Sequence, residues 1–159
     1  MKLSEVKGVL LDTSFLIQLF QDLKPNPNAE AYWELLITHR LKLYISSVVV
    51  SEFCVKAPIT LLPLENTIDL MFNFTHAERA GLFTKTLLEM RRSYQLNATR
   101  LCVLNDSKLM AQADTEPRIS HFLTADTKSI QKYNALISAG LQLKFNVLDL
   151  HNPPSHYFF

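Results

Sequence analysis

The chain has 159 residues, 48% of them hydrophobic and 19% charged, which suits one globular domain with a substantial core and excludes a disordered protein. Its formal net charge of +1 gives no support for nucleic-acid binding through overall charge. No apolar stretch approaches 18 residues, and Asp12 interrupts the apolar run near the N-terminus, so we expect neither a membrane span nor a signal peptide. Cys54 and Cys102 lie in apolar sequence and are predicted to be buried free thiols, which fits a cytoplasmic protein.

Strand and helix patterns alternate along the whole chain. Short apolar runs bounded by polar or turn residues predict buried strands. In chain order, the predicted strands are residues 8–11, 41–45, 68–74, 118–125 and 141–148. Because such alternation is typical of a parallel sheet with helices on both faces, the pattern predicts a three-layer α/β/α fold with a central, mostly parallel sheet of four to five strands.

The first three predicted helices differ in how clearly the sequence defines them. Asp12 or Thr13 is expected to cap the first helix, which carries apolar residues at helical spacing. The second is expected to bury Ala29, Tyr32, Trp33, Leu36 and Ile37. Ser46-Ser47 either caps a third helix or lies within a longer strand, because the β-branched run Val48-Val49-Val50 also favours strand.

The second half of the chain predicts three further helices. Thr75 to Glu78 has the spacing of a capping box and opens a long helix. After a connector over residues 95–105, Asp106 is expected to open the next helix. Asp126 is expected to cap the last one, which should turn Ile130, Tyr133 and Ile137 inward and end at Gly140. Residues 1–150 are interpreted as one domain and residues 151–159 as a C-terminal tail.

Four acids occupy comparable positions in this pattern. Asp12 and Asp126 follow strands, Glu52 lies about one turn into the third helix, and Asp106 opens a helix. Strand carboxyl ends and helix N-termini meet at one edge of a parallel sheet, so the four could line one pocket. Divalent Mg²⁺ or Mn²⁺ prefers carboxylate oxygens and would relieve their mutual repulsion. Taken singly, each aspartate is equally well explained as a helix cap, and Glu52 as a solvent-facing residue.

The acids lie in four short segments with a fixed order. These are Leu10-Leu11-Asp12-Thr13-Ser14, Ser46-Ser47 to Glu52-Phe53, Asn105-Asp106-Ser107-Lys108-Leu109-Met110-Ala111, and Phe122-Leu123-Thr124-Ala125-Asp126. In order and approximate spacing over residues 9–148, the set resembles the PIN-domain family, and within it the VapC-like ribonuclease toxins of toxin–antitoxin pairs. Ser107 and Lys108 depart from the small residues often found after the third acid.

The resemblance implies a PIN-like fold and a metal-dependent ribonuclease. Its implied activity is hydrolysis of RNA by a metal-activated water, leaving a 5′-phosphate and a 3′-hydroxyl. The implied Mg²⁺ or Mn²⁺ ligands and catalytic residues are Asp12, Glu52, Asp106 and Asp126. The implied supporting hydroxyls are those of Thr13, Ser14 and Thr124. The implied partners are an RNA substrate, a cognate antitoxin and a second copy of the chain in a homodimer, with no membrane involved.

Two lysines lie close to the proposed ligands. Lys108 and Lys128 each follow an acid by two residues, so they either contact RNA phosphates or are ordinary surface charges. RNA contact could also involve Arg91, Arg92 and Arg100, but these are better explained as charges on the solvent face of a helix. The five histidines show no zinc-ligand spacing.

Alternatives to a toxin remain open at this stage. A catalytically silent PIN-like scaffold, or a solitary PIN nuclease without an antitoxin, would carry the same segments. A receiver-like phosphoryl-transfer domain is disfavoured, because Thr13 and Ser14 stand where that chemistry needs a second acid. The aromatic tail, Tyr157-Phe158-Phe159, is interpreted as frayed or packed on its own domain, with a dimer or partner groove as the alternative.

Overall fold

A computed structural model describes residues 2–20, 26–94 and 100–158, with side chains described for all of these except 91–94 and 100–102. Within this part of the chain the strands are β1 (Val9–Leu11), β2 (Leu43–Ser46), β3 (Ile68–Leu70), β4 (His121–Thr124) and β5 (Asn146–Asp149). They form one parallel sheet in the order β3-β2-β1-β4-β5. The predicted parallel sheet is therefore confirmed.

Helices alternate with the strands and complete the predicted three-layer α/β/α fold. In the described residues they are α1 (Thr13–Phe20), α2 (Pro27–Thr38), α3 (Ser47–Phe53), α4 (Phe74–Tyr94), α5 (Arg100–Thr115), α6 (Thr127–Ser138) and α7 (Ser155–Phe158). No helix in this part of the chain is both long enough and apolar enough to cross a bilayer.

The central strand β1 positions the rest of the sheet. Val9, Leu10 and Leu11 are completely buried and pair with β2 on one side and β4 on the other. The chain builds the sheet outward from β1 to β3, then returns to the opposite side of β1 for β4. The strand order therefore reverses between β1 and β4, and clefts for chemistry form at the carboxyl ends of strands at such a reversal.

All five strands are shorter than the runs that predicted them, and two of them show the reason. The run 68–74 contributes only Ile68–Leu70 to the sheet, and the run 141–148 contributes a strand that begins at Asn146. Apolar residues beyond the paired segments, such as Phe72 and Phe145, pack against the core from loops. Apolar sequence therefore marks burial here and does not by itself mark strand.

The open choice between helix and strand after β2 is decided in favour of a helix. The side chain of Ser46 caps α3 by accepting a hydrogen bond from the backbone N–H of Val48 at 3.0 Å. Val49 and Phe53, four residues apart, are then buried on the same helix face. This packing outweighs the preference of the β-branched run for strand.

The predicted capping box at Thr75 and Glu78 is wrong, because α4 begins one residue before Thr75. Asn73 is the cap, and its side-chain oxygen accepts from the backbone N–H of His76 at 3.0 Å. The Nδ1 atom of His76 in turn accepts from the backbone N–H of Asn73 at 3.1 Å. A histidine thus fills the place that glutamate or glutamine takes in the usual capping box.

The prediction that Asp106 opens a helix is also wrong. Helix α5 already begins at Arg100, which places Asp106 in its second turn. The expected connector therefore ends earlier than residue 105, and residues 95–99 lie outside the described part of the chain. Helix capping is thereby excluded as an explanation of Asp106.

Helix α6 begins and ends as predicted, but it buries a different face. Asp126 caps it, and Gly140 ends it with a φ of 86°. The buried residues are Ser129, Lys132 and Leu136, whereas Ile137 is 46% exposed. The apolar pattern predicted the wrong face because one of the residues that α6 buries, Lys132, is charged.

Other expectations about burial are corrected or met. Ile37 of α2 is exposed. Cys54 is an exposed free thiol directly after the last residue of α3, so its predicted burial is wrong. The side chain of Cys102 lies outside the described residues. In the tail, Phe158 is buried, so this segment packs against its own chain.

Candidate metal centre

A cleft of about 330 Å³ lies at the carboxyl ends of β1 and β4 and contains the predicted acids. Each acid reaches it from a different place in the fold. Asp12 follows β1, Glu52 lies on α3, Asp106 on α5, and Asp126 at the start of α6. The residues that line the cleft are Asp12, Thr13, Ser14, Ile17, Glu52, Lys56, Asp106 and Asp126.

Asp12 is held in place by two hydroxyl groups. One of its carboxylate oxygens accepts hydrogen bonds from Ser14 at 2.5 Å and from Thr124 at 2.7 Å. Each hydroxyl also accepts a backbone N–H: Ser14 from Ala125 at 2.9 Å, and Thr124 from Asp126 at 3.0 Å. The carboxylate is therefore tied to the backbone that positions the fourth acid.

Burial controls the charge of Asp12. The residue is 6% exposed, and this burial raises the pKa of its carboxyl group from 3.8 to about 6. Hydrogen bonds from Ser14 and Thr124 lower the pKa, whereas the negative charges of Asp106 and Glu52 raise it further. A carboxylate in this position gains stability from any nearby cation.

Glu52 is oriented by Thr13. The Thr13 hydroxyl, at the start of α1, donates to the Glu52 carboxylate at 2.7 Å, which joins α1 to α3. Lys56 lies four residues after Glu52 and also lines the cleft. The sequence analysis missed Lys56, although its spacing from the acid was a usable signal.

Asp106 forms an ion pair with Lys132 of α6. The exposed fractions of the two side chains are 17% for Asp106 and 5% for Lys132. Burial raises the pKa of Asp106, and the hydrogen bond and charge of Lys132 oppose that rise without cancelling it. Lys132 was also missed from the sequence, because a lysine within an amphipathic helix is normally placed on the solvent face.

Asp126 serves as a cap and as part of the cleft at the same time. One carboxylate oxygen accepts from the backbone N–H of Lys128 at 2.9 Å, and the other accepts from the Ser129 hydroxyl at 3.3 Å. The prediction that Asp126 caps a helix is thus confirmed, and its carboxylate lines the cleft as well.

The donor set suits a hard divalent cation. Carboxylate and hydroxyl oxygens line the cleft, and these are the ligands that Mg²⁺ and Mn²⁺ prefer. Each of the four carboxylates accepts a hydrogen bond from a different partner within the chain. Among the described residues, no three acidic, histidine or cysteine side chains lie close enough together to hold a metal ion. Mutual repulsion disfavours a tighter cluster when no cation is present. The residues fit the ion in chemistry, and side-chain movements would bring them to it.

Neither of the two lysines predicted to contact RNA lines the acid cleft. Lys108 lines a separate groove of about 580 Å³ between α4 and α5, beside Phe72 and Leu104. Lys128 is exposed and does not line the acid cleft. The side chains of Arg91, Arg92 and Arg100 are outside the described residues. RNA contact by these groups stays a prediction.

Comparison with known proteins gives a fold but no close relative. No protein-family model and no curated protein sequence matches the chain. A chain in a toxin–antitoxin complex from Klebsiella pneumoniae superposes with a TM-score of 0.55 and 21% identity, covering 90% of this chain and 98% of that one. FitAcB from Neisseria gonorrhoeae superposes with a TM-score of 0.58 and 14% identity, covering 91% of this chain and 99% of that one.

A third similar structure is VapBC2 from Rickettsia felis bound to a DNA fragment from its promoter. Its TM-score is 0.56 at 14% identity, covering 89% of this chain and 97% of that one. At these identities the likeness concerns the fold. It agrees with the three-layer α/β/α, PIN-like fold that the resemblance of the four sequence segments implied.

Proposed function

We propose that the chain is a metal-dependent endoribonuclease that hydrolyses RNA phosphodiester bonds in the cytoplasm. One observation carries the proposal: four carboxylates from four separate elements line a single cleft beside the reversal in strand order. Capping does not explain Asp106 or Glu52, which lie inside helices. Burying acids together opposes folding, and a bound cation removes that cost.

The residues divide into proposed ligands and supports. Bound Mg²⁺ or Mn²⁺ would activate a water and stabilise charge on the phosphate and leaving oxygen. Ser14 and Thr124 fix the Asp12 carboxylate, and Thr13 fixes that of Glu52. Lys56 lines the cleft, where its ammonium group would suit contact with a phosphate. The proposed metal ligands are Asp12, Glu52, Asp106 and Asp126.

The proposal is tested by RNA cleavage with purified protein. We expect cleavage of single-stranded RNA in Mg²⁺ or Mn²⁺, with 5′-phosphate and 3′-hydroxyl product ends, and no cleavage in EDTA. Asp12→Asn should lower the rate at least a hundredfold. Glu34→Gln, which changes an exposed acid on α2, is the matched control and should cleave like the wild type.

Two results would count against the nuclease. One is cleavage that continues in EDTA, and the other is equal cleavage by the Asp12→Asn and wild-type proteins. A catalytically silent scaffold is the second candidate, because each of the four carboxylates already has a hydrogen-bonding partner within the chain. Wild-type protein that, in excess Mn²⁺, neither cuts RNA nor binds the ion by calorimetry would establish that alternative.

We further propose that this nuclease is the toxin of a toxin–antitoxin pair and that it forms a homodimer. The support is analogy of fold, since the similar structures include a toxin–antitoxin complex. A small protein encoded beside the chain should bind it and stop RNA cleavage. If the neighbouring reading frame encodes no such inhibitor, the chain is a solitary nuclease instead.

A further inference from the structure

Lys132 pairs, from the protein interior, with one of the acids that line the cleft. Its side chain is 5% exposed and pairs with Asp106, which itself lines the cleft. Lys132 is not one of the residues lining the cleft, so it does not meet a ligand there. Helix α6 therefore supplies both an acid, Asp126 at its start, and a buried cation on its inner face.

The net charge of the groups around the cleft matches one divalent ion. Four carboxylates line it, and two ammonium groups, Lys56 at the surface and Lys132 in the interior, accompany them. When all six groups are ionised, two negative charges remain, and one divalent ion neutralises them. A second divalent ion at Asp106 would meet the Lys132 ammonium at short range, where burial strengthens repulsion.

Releasing Lys132 to make room for a second ion is also unfavourable. Breaking a buried ion pair leaves an uncompensated buried charge, which is strongly destabilising. A lysine on the surface could swing away into water, but the side chain of Lys132 is only 5% exposed and is paired with Asp106. The ammonium is thus a fixed part of the site.

We propose that Lys132 is a built-in counter-ion that supplies, through Asp106, the positive charge a second metal ion would otherwise bring, so that the cleft binds a single divalent ion. This inference rests on the proposed function and specifies how many ions that function uses. Lys132 acts through Asp106 and is a positioning residue. Asp106 keeps its pairing with Lys132, so of the four proposed ligands it is the one whose charge is already balanced within the chain.

The test counts Mn²⁺ ions by titration calorimetry. Wild-type protein should bind one Mn²⁺ per chain, and Lys132→Arg, which keeps the charge, should also bind one. Lys132→Met, which keeps the length without the charge, should bind two. Melting in EDTA gives a second readout: Lys132→Met should melt about 10 °C below wild type, and Mn²⁺ should restore most of that loss.

The outcomes separate failure of the metal count from failure of the function. Two Mn²⁺ ions on the wild type, or one ion on a folded Lys132→Met variant, would overturn the role of Lys132 while leaving a metal-binding nuclease. No Mn²⁺ on the wild type would overturn the proposed function itself. If Lys132→Met does not fold, the double variant Asp106→Asn/Lys132→Met removes both charges and should bind one ion; two ions there would overturn the proposal.

Discussion

At the scale of single residues, the cleft depends on how each carboxylate is held. Asp12 is the most constrained, with burial on one side and two donating hydroxyls on the other. A short apolar strand that stops at an acid followed by hydroxyl residues was enough to locate it. Lys132 could not be located in this way, because its burial follows from the position of Asp106 on a distant helix.

The raised pKa of Asp12 predicts how the stability of metal-free protein depends on pH. Its pKa of about 6 lies above the ordinary 3.8, so the folded chain holds this proton more tightly than the unfolded chain does. Stability from this group is present below pH 4 and is lost as the pH rises through 6. The loss is about 3 kcal/mol. We therefore expect the free energy of unfolding in EDTA, measured with urea, to fall by about 3 kcal/mol more for wild type than for Asp12→Asn as the pH rises from 4 to 7.5.

The control for this experiment has to separate Asp12 from the histidines. Burial lowers the pKa of His121 to about 4, so that group stabilises the fold as the pH rises, opposite in sign to Asp12. Comparing variant and wild type at each pH cancels this contribution. Glu34→Gln, an exposed acid, should follow the wild type throughout. A pH-independent difference between Asp12→Asn and wild type would contradict the assigned burial effect.

At the scale of helices and strands, the sequence predicted whether a segment is a helix or a strand better than it predicted where that segment begins and ends. The strand before Asp12 and the cap at Asp126 followed from local patterns. The start of α5 did not, because nothing local marks Arg100 as helical while Asp106 resembles a cap. The placement of Asp106 in a second turn is set by packing between elements, which a local pattern does not contain.

Gly8 tests the packing that leads into β1. A Cβ atom at this position would lie 2.6 Å from the Arg118 carbonyl oxygen and 2.6 Å from a ring carbon of Tyr44. Gly8→Ala should therefore lower the free energy of unfolding by about 1–3 kcal/mol, measured by urea denaturation, because backbone and ring must shift to admit it.

Gly81 provides a matched control with the opposite sign. It is exposed in the interior of α4, and a Cβ there would meet nothing within 4 Å. Gly81→Ala should raise the free energy of unfolding by about 0.5–1 kcal/mol, because alanine favours helix over glycine. Equal effects of the two substitutions would contradict the close approach at Gly8.

At the scale of the whole molecule, topology explains why the acids meet. Alternating strands and helices predicted the parallel sheet, and the reversal of strand order beside β1 places Asp12 and Asp126 at one edge. Glu52 and Asp106 line the same cleft from helices α3 and α5. The order of the four segments predicted this convergence, but the distances between the carboxylates depend on packing and charge, which the sequence does not display.

The most direct test of the metal centre is a crystal structure of the chain soaked in Mn²⁺, with anomalous scattering recorded. We predict an anomalous peak within the cleft, about 2.1 Å from carboxylate oxygens of Asp12 and Asp126. The same soak of Asp12→Asn crystals should show a weaker peak or none. A wild-type crystal that binds Mn²⁺ only outside the cleft would contradict the assignment of these acids as a metal centre.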